Sequence, residues 1–264
     1  MEAAGRMQRS ILDFYAPLPS AHGGTLRPAD GAILCLYDPS LTALQPWVEA
    51  GFECHCLDPS FPRRGKRDGV HVHGVDPGEP KILRRLVRRF AGRCALALAF
   101  PPSEDLSIAG ARWFRAKSAK DPQFQAKAAA RVRQVYKALG ELGCPFAVEN
   151  PGTSALRTLW RKPDVVFHPC DYGAYLGPGA HPVHAEIPPR DAYRRATGLW
   201  TGNRFHMPRK RSVEPEWATF TCKKTGKQRR MNPVSFARRA ARAARAACPR
   251  GFARALLERL VARA

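Results

Sequence analysis

The chain has 264 residues, and its 44 Lys and Arg against 22 Asp and Glu give a formal net charge of +22 at pH 7. Its hydrophobic content of 44% is ample for a core. The sequence contains no run of about 18 apolar residues, so we predict neither a membrane-spanning segment nor a membrane partner. Met1 to Gly24 lacks the apolar centre of a secretion signal, so we expect an intracellular protein, not a secreted one, whose eight cysteines are reduced and buried.

Strand and helix patterns alternate from Gly31 onward. Short apolar runs predict five strands, at residues 32–37, 52–57, 70–75, 95–100 and 146–149. Helical periodicity predicts helices over residues 44–51, 80–91 and 123–142, of which the second has a basic face. This order predicts an α/β fold with a mainly parallel, doubly wound, Rossmann-like sheet that binds ligands at the carboxyl ends of its strands.

The chain divides into three predicted parts. Residues 1–27, rich in Pro, Gly and Ala, predict a flexible tail, and residues 28–200 predict the α/β domain. Residues 201–264 predict a loop-rich, basic region that contacts DNA. Within it we expect an Ala/Arg helix over residues 235–247 and a last amphipathic helix over residues 251–263 that packs back on the core.

The positive charge is concentrated towards the C-terminus. From residue 204 onward there are 17 Lys and Arg, against the acids Glu214, Glu216 and Glu258. We interpret this clustering as binding to the phosphates of DNA, with a solubilising basic tail as the alternative. Three arginines that share one face of the predicted Ala/Arg helix are candidate DNA contacts: Arg238, Arg242 and Arg245.

Acidic residues follow three of the predicted strands. Asp58, after the second strand, stands where doubly wound folds place an acid on ribose hydroxyls, and Asp76, after the third, could contact an adenine edge. Either could instead be a solvated turn residue. Asp38, after the first strand, is a weaker candidate, because its loop lacks the glycine that close approach of a cofactor to the backbone normally needs.

A rigid turn and an acid follow the next two strands. Phe100-Pro101-Pro102-Ser103 ends one strand, and Glu149-Asn150-Pro151 ends its neighbour. Carbonyls of a fixed turn could hold the amino group of a base, and Glu149 could bridge its ring nitrogen and exocyclic amine. The alternative interpretation of the second segment is a strand-end turn or helix cap.

These segments resemble motifs of phage-type DNA cytosine-C5 methyltransferases. Phe100 to Phe114 is similar to the fourth motif of that family, and Glu149 to Pro151 is similar to the sixth. The resemblance continues through five further stretches: 160–164, 167–169, 172–175, 188–193 and 197–203. It resumes at Cys248 to Ala253.

The resemblance implies S-adenosylmethionine as cofactor, held by Asp38, Asp58 and Asp76 with Phe100 and Pro101, and a flipped cytosine as substrate. In the family a thiolate adds to C6 of the cytosine, and C5 then attacks the methyl group. Carried over, the catalytic positions are Ser103 and Glu149, the latter at N3. The positions implied to hold DNA and base are Pro102, Asn150, Arg194, Arg195 and Trp200.

Ser103 departs from the family, because a cysteine stands at that position there. An alcohol needs a strong base to become a nucleophile, and no histidine or lysine is evidently placed to activate this one. Three interpretations stay open: an inactive relative that still binds DNA, an enzyme acting on another atom such as the exocyclic amine, or a C5 enzyme with altered activity or an introduced substitution. The leading prediction is a DNA cytosine methyltransferase or derivative; the rival is an inactive adaptor that binds DNA and a sliding clamp.

The N-terminal segment resembles the peptide box that docks proteins on the sliding clamp PCNA. Gln8, Ile11, Phe14 and Tyr15 have the spacing of that box, in which one helical turn presents an apolar plug. The alternative is an amphipathic segment that packs on its own domain. The box implies recruitment to replicating DNA in a nucleus, and Pro208 to Arg211 could be a nuclear import signal or a phosphate contact. His71 and His73 alternate on a strand without zinc-spaced partners, so we predict no metal site.

Overall fold

The computed structural model describes residues 26–180, 187–222, 225–236 and 247–261. The strands are β1 (Ala32–Leu36), β2 (Cys54–Leu57), β3 (Arg64–Arg67), β4 (Val70–His73), β5 (Cys94–Ala99), β6 (Phe146–Pro151), β7 (Val165–Phe167), β8 (Thr197–Gly202), β9 (Ala218–Thr221) and β10 (Gln228–Met231). The α-helices are α1 (Gln45–Glu49), α2 (Pro80–Phe90), α3 (Phe114–Lys120), α4 (Phe124–Gly140), α5 (Leu156–Leu159) and α6 (Arg250–Leu260).

Eight strands form one mixed sheet in the order β3-β4-β2-β1-β5-β6-β8-β7. The five strands from β4 to β6 are parallel, whereas β3 and β8 run antiparallel to their neighbours. The chain builds outward from β1 to β2 and β4, then returns to place β5 on the other side of β1. The strand order therefore reverses between β1 and β5, where doubly wound sheets form their ligand crevice. The predicted α/β architecture with a mainly parallel sheet is confirmed.

Two apolar layers cover the sheet. Every residue of β1 and β5 is buried, as continuous apolar runs require when helices cover both faces of a sheet. One layer contains the apolar sides of α2 and α4, and the other contains Trp47 of α1 with Phe252 and Leu256 of α6. Seven of the eight cysteines are buried, and Cys222 is partly exposed. The predicted packing of the last helix against the core is thus observed.

The sequence prediction did not place several local elements, among them β3, α3 and β8. Strand β3 is exposed along its length, so no apolar pattern marks it. Its signal was Asp68-Gly69, which have φ of 48° and 80° and form a two-residue hairpin turn to β4. Helix α3 has no buried residue, so it lacks a periodic apolar face. Strand β8 was not among the five strands predicted from apolar runs.

The boundary predicted for the flexible tail needs a correction of two residues. Leu26 is buried, and its backbone N–H donates to the Leu260 carbonyl while it pairs with Val261. Arg27 forms an ion pair with Asp30. An apolar side chain that pairs with the last helix belongs to the core, so the folded part begins at or before Leu26. Within the described residues no helix is both long and apolar enough to cross a membrane.

Candidate functional site

The Pro-Pro turn and the Glu-Asn-Pro segment meet at one edge of the sheet. Strands β5 and β6 are parallel neighbours, with Ala99 opposite Val148, so the residues that follow emerge side by side. The fully buried Asn150 amide donates a hydrogen bond of 3.3 Å to the Pro101 carbonyl. Asn150 therefore ties the two segments together, which is a positioning role and not the direct contact with DNA that the resemblance implied.

Glu149 lies beside a narrow, almost entirely apolar cavity, which we call the Glu149 cavity. Its lining includes Phe100, Phe167, Thr197, Cys248 and Phe252. The Glu149 side chain is 12% exposed, and its carboxylate is 3.7 Å from the Arg195 guanidinium. Burial raises the pKa of the Glu149 carboxyl, and the charge of Arg195 opposes this only in part. The surroundings of Glu149 therefore favour the neutral form of its carboxyl group more than water does.

Two arginines, Arg194 and Arg195, lie on the segment that leads into β8. Arg195 is one quarter exposed and faces Glu149. Arg194 is exposed, and its guanidinium is 3.3 Å from Nε2 of His168. Burial and the charge of Arg194 both lower the pKa of His168. This segment thus combines the positive charge of Arg194 and Arg195 with the neutral imidazole of His168, an arrangement that suits an anionic ligand such as a phosphate.

Ser103 is half-buried, and its backbone carbonyl accepts hydrogen bonds from the N–H groups of Leu106 and Ser107. In the part of the chain that the structure describes, no group forms a hydrogen bond with its hydroxyl. The neighbouring carboxylate of Asp105 forms an ion pair with Lys117 instead. Pro102 is exposed beside it. The hydroxyl therefore has no described base to activate it.

Cys248, in the Glu149 cavity, does not replace the missing thiolate. It is 3% exposed, and its Sγ points to the Pro249 carbonyl at 3.6 Å. Burial raises the pKa of this thiol well above its ordinary value, and the negative charges of Asp38 and Asp191 add to the effect. A thiol that stays protonated is a weak nucleophile, so Cys248 contributes packing.

Two of the three expected cofactor acids are engaged within the chain. Asp38 is 1% exposed, and its carboxylate accepts hydrogen bonds from the Ser40 hydroxyl and the Ala43 N–H. Asp38 therefore stabilises its own loop, and we correct its predicted role as a cofactor ligand. These hydrogen bonds could not be predicted from the sequence. Asp58 differs, because among the described residues only its Oδ1 accepts hydrogen bonds, from the N–H and hydroxyl of Ser60.

Asp76 is the centre of a small network. It accepts hydrogen bonds from the Tyr37 hydroxyl and the Gly78 N–H, both at 2.8 Å, and forms an ion pair with Arg131 of α4. Tyr37 has a φ of 63°, and the residue is 7% exposed. With Asp38 and Asp76 both occupied, the described residues do not form the cradle that S-adenosylmethionine would need.

The chain matches no family model and no curated protein. The resemblance to the methyltransferases consequently rests on the sequence motifs alone. Among the residues described, no cluster of three or more His, Cys, Asp or Glu side chains is arranged to hold a metal ion. The clamp-like box and Arg238, Arg242 and Arg245 lie outside the described residues.

Trp200 is a core residue, in contrast to its expected place among the groups that hold DNA. It is fully buried, it lies opposite Val148 of β6, and its indole N–H donates to the Arg161 carbonyl at 3.1 Å. The ring also stacks on Trp160, with centroids 6.2 Å apart. An indole that is closed off from solvent on all sides cannot reach a base.

The structure identifies two residues that the sequence analysis did not single out: Thr197 in the Glu149 cavity and Arg131 beside Asp76. Thr197 lines the Glu149 cavity because β8 pairs with β6, and Arg131 reaches Asp76 from a helix 55 residues further along the chain. Neither contact has a local sequence signal. Thr197 was within a motif of the resemblance, which was the one available indication.

Proposed function

We propose that this chain is a derivative of the DNA cytosine methyltransferases that binds DNA and receives an extruded cytosine beside Glu149. The observation that carries the proposal is the buried carboxyl group of Glu149, held next to the Pro-Pro turn by the hydrogen bond from Asn150 to Pro101. A flipped base needs a site outside the stack with groups that recognise its Watson–Crick edge. Because the Glu149 cavity has a volume of only about 10 Å³, the side chains around it must move apart to admit the base.

Cytosine is the base that a protonated Glu149 would complement through two hydrogen bonds. Its N3 accepts a hydrogen bond and its exocyclic amine donates one, whereas a protonated carboxyl group offers one donor and one acceptor side by side. The raised pKa of Glu149 favours that form. The apolar lining from Phe100 and Thr197 would exclude competing water around the pair.

The same proposal assigns the positive charge to the DNA backbone. Arg194 and Arg195 lie on the segment that leads into β8, and the basic region from residue 201 to residue 264 supplies further contacts, including Arg238, Arg242 and Arg245. A chain of net charge +22 gains most of its affinity for DNA from such phosphate contacts, and that affinity falls steeply with salt.

An active methyltransferase that uses S-adenosylmethionine is the second candidate, favoured by the carboxylate oxygen of Asp58 that no described residue uses. Calorimetric titration of the full chain with S-adenosylmethionine separates the two. We expect no measurable heat, because Asp38 and Asp76 are engaged within the chain. Heat that disappears in Asp58→Asn would favour the enzyme. Methyl transfer to DNA should then be compared between the wild type and Ser103→Cys, in which an ionisable thiol replaces the hydroxyl.

We also propose that the segment around Gln8, Ile11, Phe14 and Tyr15 docks on PCNA and brings the DNA-binding domain to replicating DNA in the nucleus. A peptide spanning residues 6–16 should bind the clamp in a fluorescence anisotropy titration. Replacement of Phe14 and Tyr15 by alanine should weaken binding by at least about tenfold, because both aromatic anchors are lost. Arg9→Ala, between the anchor positions, is the control; equal affinity of all three peptides would refute the docking role.

A further inference from the structure

We propose that the β3–β4 hairpin and α2 carry a second DNA-binding surface, separate from the Glu149 site, that contacts the phosphate backbone of flanking duplex. We call the side chains of Arg64, Lys66, Arg85 and Arg89 the outer basic surface. All four are exposed. The proposal rests on the proposed function in that the partner is the same DNA, but the residues and the geometry are independent of the base site.

The hairpin fixes the direction in which Arg64 and Lys66 point. The Asp68-Gly69 turn sets β3 antiparallel to β4, with Arg64 opposite His73 and Lys66 opposite His71. Side chains of directly paired residues lie on the same face of a sheet. The intervening residue Val72 is buried in the opposite layer. Both cations therefore stand on the face of the sheet that carries the histidines.

Helix α2 brings the other two cations to the same face. Its last residue, Phe90, packs edge-on against His55, with ring centroids 4.9 Å apart, and His55 in turn stacks on His71 and His73. Arg89 lies over the Phe90 ring at 5.3 Å. Arg85 precedes it by four residues and so shares its side of the helix.

The electrostatics of His73 show that the two elements converge. Burial is the main cause that lowers the pKa of His73 to about 4, and the positive charges of His55, Arg89 and Arg64 lower it further. A guanidinium from α2 and one from β3 therefore both act on a single imidazole. The two elements therefore bring positive charge to the same place, although burial, not this charge, is the main cause of the low pKa of His73.

Among the described residues, none of the four cations of the outer basic surface forms a salt bridge, whereas Arg27, Arg67 and Arg254 each have a carboxylate partner. Glu53 forms a 2.7 Å contact with His55, which lowers the pKa of the Glu53 carboxyl, and the charge of Arg89 lowers it further, so Glu53 offsets part of the charge of Arg89. Asp68 pairs with Arg67. Unpaired like charges repel one another, and a row of phosphates would relieve that repulsion while releasing counterions.

The outer basic surface is too far from Glu149 to contact the extruded base. Strand β3 is five strands away from β6 in the sheet, which at about 4.8 Å per strand spacing is roughly 24 Å. At about 3.4 Å per base pair, this distance corresponds to roughly seven base pairs of duplex. DNA that engages both surfaces must therefore extend well beyond the base, whereas a short duplex centred on the base reaches only one.

The test compares duplexes of about 10 and about 40 base pairs, each with a central unpaired cytosine, over a range of salt concentrations. The variant is Arg64→Gln/Arg89→Gln, and Arg27→Gln/Arg254→Gln removes the same charge from paired arginines as the control. On the long duplex we expect the slope of log K against log salt to shrink by about 1.8 in the variant, and the affinity to fall roughly tenfold at physiological salt. The short duplex and the control should change less than about twofold.

Three results would overturn the proposal of a second surface: an equal loss of affinity on both duplexes, no loss on the long duplex, or the same loss in the control variant. Tighter binding of the wild type to anionic vesicles or to duplex RNA than to the long DNA would do the same. If the slope changes as expected but the wild type shows no preference for the unpaired cytosine, the proposed function fails while the surface stands. If the wild type binds no DNA at any salt concentration, both fail. Thermal unfolding of each variant checks that these exposed substitutions leave the fold intact.

Discussion

Glu149→Ala is expected to lower the affinity for duplex DNA with an unpaired cytosine by roughly 10- to 100-fold, whereas Glu149→Gln keeps it near that of the wild type. Loss of one bidentate base contact costs about 1–3 kcal/mol of discrimination. Alanine removes both hydrogen bonds that we assign to Glu149. Glutamine is the neutral isostere of the protonated acid, so its amide still donates to N3 and accepts from the exocyclic amine.

The pH dependence separates base recognition from a general electrostatic effect. Burial raises the pKa of Glu149, so its proton is retained at pH values at which an exposed glutamate has lost it. Cytosine binds the protonated form, so the affinity of the wild type should fall as the pH rises through that pKa. Glu149→Gln has no proton to lose and should show no such fall. A wild-type affinity that rises with pH would contradict the assigned hydrogen bonds.

The measurement is fluorescence anisotropy at constant salt, with cytosine placed opposite an abasic site so that extrusion costs little. The fully paired duplex provides the reference for backbone binding, which all three proteins should share. Arg195→Gln is a useful companion variant, because its guanidinium is 3.7 Å from Glu149 and opposes the rise of the pKa. It should shift the fall in cytosine affinity to higher pH.

The sheet was predictable because most of its parallel strands have a clear apolar sequence pattern. Continuous apolar runs such as Ala32–Leu36 and Cys94–Ala99 have one stable place, the interior of a sheet covered on both faces. The same runs locate the Pro-Pro turn and Glu149 at adjacent strand ends. Strand β3, in contrast, has four exposed residues and is positioned by the hairpin turn alone, so only its Asp-Gly pair could have revealed it.

Side-chain partnerships were not predictable, because they depend on contacts between distant parts of the chain. Asp38 and Asp76 have the positions of ligand-binding acids, yet one closes its own loop and the other meets Arg131 from α4. A carboxylate at a strand end is equally suited to a ribose hydroxyl and to a guanidinium. Only the fold decides which of them is within reach, and here it decides against the cofactor at both positions.

Trp200→Ala is expected to destabilise the protein by about 3–5 kcal/mol, the usual cost of emptying a buried aromatic site. The indole is fully buried, packs near Trp160, and donates a hydrogen bond to the Arg161 carbonyl that would lose its partner. For a domain of this size, the melting temperature should fall by roughly 6–20 °C. Differential scanning calorimetry or circular dichroism measures this directly.

Trp200→Phe distinguishes packing from a direct contact with DNA. Trp200 lies opposite Val148, immediately before Glu149, so the alanine variant would disturb the base site even if the indole never touches DNA. Phenylalanine retains most of the apolar volume and should cost only about 1–2 kcal/mol. Well below its melting temperature, this variant should bind the unpaired-cytosine duplex within about twofold of the wild type, since a core residue acts on DNA only through the fold. A tenfold loss of affinity in a fully folded Trp200→Phe protein would instead indicate that the indole contacts DNA directly.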